Sequence, residues 1–93
     1  MNKTITRKIP GGKLVHLEVS FDKQVDSVKI TGDFFLHPEE TMDAIIQGFR
    51  NLPLPVDQAG LSRELNRIME QYQAQLIGVS IQDLVSMLEE AVA

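Results

Sequence analysis

Few side chains in this sequence could do chemistry, and their spacing limits what that chemistry could be. His16 and His37 are the only imidazoles. They belong to no HExxH pattern and have no third ligand at metal spacing, so a zinc site is not expected. Glu39, Glu40 and Asp43 bring three carboxylates together, but acids at the start of a helix are what its positive end attracts. Gly11-Gly12-Lys13 has a glycine pair before a lysine, yet neither GxxxxGK[ST] nor GxGxxG is present and a strand rather than a helix follows. It reads first as a hairpin turn, from which Lys13 could reach a phosphate or a carboxylate. No Ser-His-Asp grouping, nucleotide loop or complete acid-base pair emerges, and no catalytic residue is assigned. His37 is read as ending a strand and entering a helix, with proton transfer as the alternative. Asp33 is read as satisfying turn amides.

The elements that must position these groups follow from periodicity. Val15, Leu17, Val19 and Phe21 alternate with Leu14, His16, Glu18 and Ser20, the pattern of a half-buried strand over Lys13 to Phe21. Thr4 to Ile9 gives a weaker strand, joined to it through Pro10-Gly11-Gly12. A turn at Asp22 to Gln24 leads to Val25 through Gly32, with Val28 and Ile30 in phase. The reading is a three-stranded antiparallel meander. Pro38 suits the first turn of a helix that buries Met42, Ile45, Ile46 and Phe49. Leu52-Pro53-Leu54-Pro55 stops it. A second helix starts near Asp57 and buries Leu61, Leu65, Ile68, Met69 and Tyr72. After a break at Gly78, Ser80 and Asp83 form a capping-box start for a third, which buries Ile81, Leu84, Val85, Leu88 and Val92.

Phe34 and Phe35 follow the third strand. Adjacent strand residues point to opposite faces. Extending the phase of Val28 and Ile30 turns Phe34 inward and leaves Phe35 as an aromatic anchor for a partner; if the strand stops at Gly32, both can pack beneath the helix start.

Ninety-three residues suit one domain, 1–93, with its sheet in 3–32 and its helical part in 37–93. Sheet first and helices afterwards imply an α+β, two-layer domain with a three-stranded antiparallel sheet and about three helices packed on one face. With no cysteine, disulfides and thiolate metal sites are excluded. The N-terminus lacks an apolar signal core and no stretch is long enough to span a membrane, so a cytoplasmic location is expected. Net charge is −4, unevenly placed: residues 1–32 carry six Lys or Arg against three Asp or Glu. The basic half is either ordinary solvated surface or faces an acidic partner or a nucleotide-bearing cleft. Nucleic-acid binding is not expected of an acidic chain without a basic-aromatic stripe.

The run Val28-Lys29-Ile30-Thr31-Gly32-Asp33-Phe34-Phe35-Leu36-His37-Pro38-Glu39-Glu40, with Ile9 to Val15 upstream and Gly78 to Leu84 downstream, resembles the small accessory domain of lipoate-protein ligases. In some organisms that domain is a separate subunit. The resemblance implies a SufE/NifU-like fold; without cysteines it does not imply iron–sulfur scaffolding. Such ligases activate lipoate with ATP to give lipoyl-adenylate and pyrophosphate, then transfer lipoyl to an acceptor lysine. The large domain holds the lipoate and nucleotide pocket, so lipoate, ATP and magnesium are implied for a catalytic large subunit and no cofactor for this chain alone. The expectation is a non-catalytic accessory subunit of a heterodimeric ligase, touching lipoyl acceptor domains only indirectly. Its expected contacts are Gly11, Gly12, Lys13, Asp33, Phe34, Phe35 and His37, where the matching motifs and outward groups coincide. The alternatives are a stand-alone adaptor for lipoyl acceptor proteins or a related lipoyl enzyme, and a truncated or duplicated ligase domain.

Overall fold

Three strands, the central one with a clear alternation of buried and more exposed residues, pair in the order in which they occur. A computed structural model describes residues 1–11 and 13–93. Strands β1 (Asn2–Ile9), β2 (Lys13–Phe21) and β3 (Val25–Gly32) form an antiparallel meander with β2 in the centre. The register sets Leu17 opposite both Ile5 and Ile30, and Val15 opposite Arg7 and Gly32. A bulge at Ser20 and Phe21 bends β2 into the turn before β3. Val15, Leu17, Val19 and Phe21 are all buried, as their alternation requires.

Helices α1 (Thr41–Phe49), α2 (Gln58–Gln71) and α3 (Ile81–Val92) complete the second layer. Helix α3 packs on β1 and β2, α1 packs on β3, and α2 lies against both α1 and α3. The core therefore lies between one sheet face and the apolar stripes of the helices: Ile45 and Phe49 from α1, Leu61, Leu65 and Ile68 from α2, and Leu84, Val85, Met87, Leu88 and Ala91 from α3. Leu61, Leu65 and Ile68 recur at helical spacing, so one stripe of an otherwise polar helix is enough to hold it. Met42, Met69, Tyr72 and Val92 are only partly buried and rim this core. Arg7, on the helix-facing side of β1, reaches over the edge of the layer, donating to Ser86 Oγ and Glu90 Oε2 at 3.1 Å each.

Helix boundaries follow local chemistry. Asp57 caps α2 by accepting from the Gly60 N–H. Ser80 and Asp83 complete the expected capping box: Ser80 Oγ accepts from the Asp83 N–H at 3.0 Å, and Asp83 Oδ2 accepts from the Ser80 N–H at 3.0 Å. Beyond α1, the segment carrying Pro53 and Pro55 is tied to the sheet, since the Val25 N–H donates to the Leu52 carbonyl and the Asn51 N–H to the Val25 carbonyl.

The structure departs from the sequence expectation between Gly32 and α1. Residues Phe35–His37 form a short strand, β4, which pairs antiparallel with β5 (Gln75–Ile77), between α2 and α3. The part expected to be helical from residue 37 thus contains a second, two-stranded sheet. Pro38 and Glu39 accordingly sit in a turn, their carbonyls accepting from the Thr41 and Met42 N–H groups, and α1 begins at Thr41. Pairing with β5 uses the backbone through His37, so the helix can start only after that turn. No helix among the described residues is long and apolar enough to cross a membrane.

Candidate functional site

The β4–β5 ribbon exists because two glycines redirect the chain. Gly32, the last residue of β3, has φ +149° and lies so close to β2 that a Cβ on it would strike the Leu14 carbonyl oxygen. Only glycine fits there. That contact brings the Asp33 N–H to the Leu14 carbonyl, to which it donates at 2.9 Å. The chain leaves the main sheet at this point, half-buries Phe34 on the core and enters β4. At the other end of the ribbon, Gly78 has φ +100° and turns β5 into the cap of α3. Its missing side chain makes room for neighbours: a Cβ there would lie 3.2 Å from the Asp33 carbonyl oxygen, 3.3 Å from Phe34 Cβ and 3.4 Å from Lys13 Cγ. Lys13, Asp33 and Phe34 thus converge on Gly78.

The ribbon's alternation decides which of its side chains meet solvent. Leu36 and Leu76 oppose each other and pack toward the core, which turns Phe35, His37, Gln75 and Ile77 outward. Phe35 is 75% exposed and Ile77 60% exposed. Phe34 inward and Phe35 outward is the arrangement given by extending the phase of Val28 and Ile30. The two outward apolar residues, together with Lys13, Gly32, Asp33 and Phe34, line a cleft of about 490 Å³.

Of the residues expected to form a site, Lys13, Asp33, Phe34 and Phe35 come together here. Gly11 lies in the preceding turn with φ +106° and open space beside it. Gly12 lies outside the described residues. His37 shares the outward face of β4 with Phe35 but does not line the cleft. Sequence reasoning missed Ile77, reading the chain around Gly78 only as a break. The run Gln75-Leu76-Ile77 is too short to carry a period that would have marked it.

The chemistry on offer is binding chemistry. The cleft combines two exposed apolar side chains with one ammonium and one carboxylate. Lys13 has no carboxylate within 4.0 Å; the ion pairs among the described residues join Arg7 to Glu90 and Arg67 to Glu64. Contrary to the expectation that its carboxylate satisfies turn amides, Asp33 uses its backbone N–H in the turn, donating to the Leu14 carbonyl, and its side chain forms no hydrogen bond with another described residue. His16, on the open sheet face, is within 2.9 Å of Thr6 Oγ1 through Nδ1. Among the described residues, no group of three or more His, Cys, Asp or Glu could hold a metal ion. Remote from the cleft, on α2, hydrogen bonds from Arg67 hold the Glu64 carboxyl below the usual carboxylate range and raise the guanidinium in turn.

Fold and site together describe a small α+β domain with an exposed apolar cleft at the β4–β5 ribbon. No protein-family model and no curated protein matches the chain. A solved structure does: one of an archaeal lipoylation system, described as a bi-partite lipoate protein ligase and its E2 lipoyl domain from Thermoplasma acidophilum, with a TM-score of 0.69 and 18% sequence identity over 95% of this chain and 97% of that one. At that identity the likeness establishes a shared fold, and it agrees with the resemblance carried by Ile9 to Val15 and Val28 to Glu40.

Proposed function

We propose that this chain is the non-catalytic accessory subunit of a bipartite lipoate-protein ligase, working in the cytoplasm with a separate catalytic subunit. The observation that carries this reading is the end-to-end likeness, covering nearly all of both chains, to a chain of an archaeal lipoylation system that comprises a bi-partite lipoate protein ligase and its E2 lipoyl domain. The exposed pair Phe35 and Ile77 supports it, because a lone domain gains nothing by holding two large apolar side chains in water.

In the proposed reaction a lipoate carboxylate oxygen bonds to the α-phosphorus of ATP and pyrophosphate leaves, giving lipoyl-adenylate. The acceptor lysine then attacks the activated carbonyl and AMP departs. Lipoate, ATP and magnesium are held by the catalytic subunit. The accessory chain contributes by docking through the Lys13, Asp33, Phe34 and Phe35 cleft, with Gly11, Gly12 and His37 as further proposed contacts. Docking orders mobile loops of the catalytic subunit and excludes water from the mixed anhydride, favouring its formation over hydrolysis. Activation therefore depends on the chain more than transfer does.

The test is to follow lipoyl transfer from chemically prepared lipoyl-adenylate, and separately from lipoate and ATP, with and without this chain. The proposal expects the second reaction to need the chain and the first to proceed largely without it. Equal dependence of both would overturn the division of labour. Tight binding to a lipoyl acceptor domain without any catalytic subunit would instead identify an adaptor.

A further inference from the structure

We infer that the cleft beside Gly78 reads a short segment of its partner protein in which an apolar side chain is flanked by a carboxylate. The inference rests on the docking role proposed above and adds the chemistry that the partner must present. Three observations carry it. Phe35 and Ile77 are a directly opposed cross-strand pair with both side chains exposed, so together they form one apolar surface rather than two scattered residues. That surface borders an open cleft of about 490 Å³, against which a side chain of aliphatic or aromatic size can lie. Lys13 borders it as a cation with no carboxylate within 4.0 Å.

The position of Lys13 strengthens the third point. Its Cγ lies 3.4 Å from where a Cβ on Gly78 would sit, and the side chain lines the cleft, so its apolar stem can pack there while the ammonium remains available to an incoming group. A carboxylate brought beside an apolar contact is partly shielded from water, which strengthens its attraction to the ammonium relative to a fully exposed pair. Asp33, also lining the cleft, repels a carboxylate from its own side and can accept from backbone N–H groups of the segment. One cation and one anion at separate points thereby impose a single orientation. Energetically the apolar contact and the partly shielded ion pair both supply affinity, and Lys13 also selects for an acid.

A random-peptide phage library selected on the immobilised chain tests this without any ligase catalytic subunit. Selection is expected to enrich peptides that place Phe, Leu, Ile or Met close to Asp or Glu. The best synthetic peptide is expected to lose at least tenfold in affinity on Phe35→Ser or on Lys13→Ala, and to shift the amide resonances of Asp33, Phe35 and Ile77. Selection on Lys13→Glu is expected to return apolar peptides with Lys or Arg in place of the acid. Both side chains are exposed, and unchanged amide spectra elsewhere confirm folding. The inference is overturned if no peptides are enriched, if the winners lack an acid, or if their binding is indifferent to Phe35→Ser and Lys13→Glu. Because no ligase subunit takes part, its failure leaves the adenylation reading intact, and a chain that selects these peptides but does not support adenylation would sink that reading alone.

Discussion

Phe35 and Ile77 face each other across the β4–β5 ribbon, directly paired and both largely exposed, although they belong to segments on either side of two helices. Pairing of their neighbours Leu36 and Leu76 toward the core forces this outward geometry. Side chains so exposed contribute little to folding. Phe35→Ala and Ile77→Ala should change unfolding free energy by no more than about 0.5 kcal/mol. Each should weaken the proposed complex with a catalytic subunit by roughly tenfold or more, as central apolar anchors do. Denaturant unfolding and calorimetric titration of the same variants separate the two effects.

Gly32 should be the least replaceable residue near the cleft. A Cβ there collides with the Leu14 carbonyl, and φ +149° is strained for any other residue. Gly32→Ala should cost about 2–3 kcal/mol and loosen the Asp33–Leu14 hydrogen bond, which amide exchange at Asp33 would report. By comparison Gly11, with φ +106° but open space around it, should cost only its backbone strain, about 1 kcal/mol.

Ser80 links stability to the site, because its capping box fixes the start of α3 directly after β5 and Gly78. Ser80→Ala should cost about 1 kcal/mol by urea unfolding, while Ser80→Asp should retain much of the cap. A loss below a few tenths of a kcal/mol would mean that packing alone sets this boundary.

What the sequence made legible and what it hid divide along physical lines. The meander was readable because Val15, Leu17, Val19 and Phe21 repeat with period two, and the start of α3 because Ser80 and Asp83 carry their partner within one turn. Helix α2 was readable because Asp57 and the Leu61, Leu65, Ile68 stripe are both local. The ribbon was not. Three-residue strands have no measurable period, and β4 becomes a strand only by meeting β5, which lies beyond α1 and α2. The same pairing moved the start of α1 past Pro38 and supplied Ile77 to the cleft. Four of the expected contact residues did converge, since Lys13, Asp33, Phe34 and Phe35 sit next to the glycines that bend the chain there.

Electrostatics away from the cleft give an independent check. Hydrogen bonds from Arg67 hold the Glu64 carboxyl below its ordinary range. A depressed carboxyl contributes stability above its unfolded value, and that contribution fades as pH falls through the folded one. The pair is exposed, so the effect on unfolding is small and screened by salt. In a carbon-detected NMR titration, Arg67→Gln should return Glu64 to ordinary titration; an unmoved midpoint would show that Arg67 is not the cause.

The central claim is that the chain enables adenylation by a separate subunit, and the direct measurement is pyrophosphate release dependent on lipoate and ATP. A catalytic large subunit from the same organism would be assayed alone, with the chain, and with the folded Lys13→Glu and Phe35→Ser variants. Release should be negligible without the chain, restored by it, and at least tenfold lower with either variant at limiting concentration. Release by the catalytic subunit at the same rate with and without the chain would contradict the account.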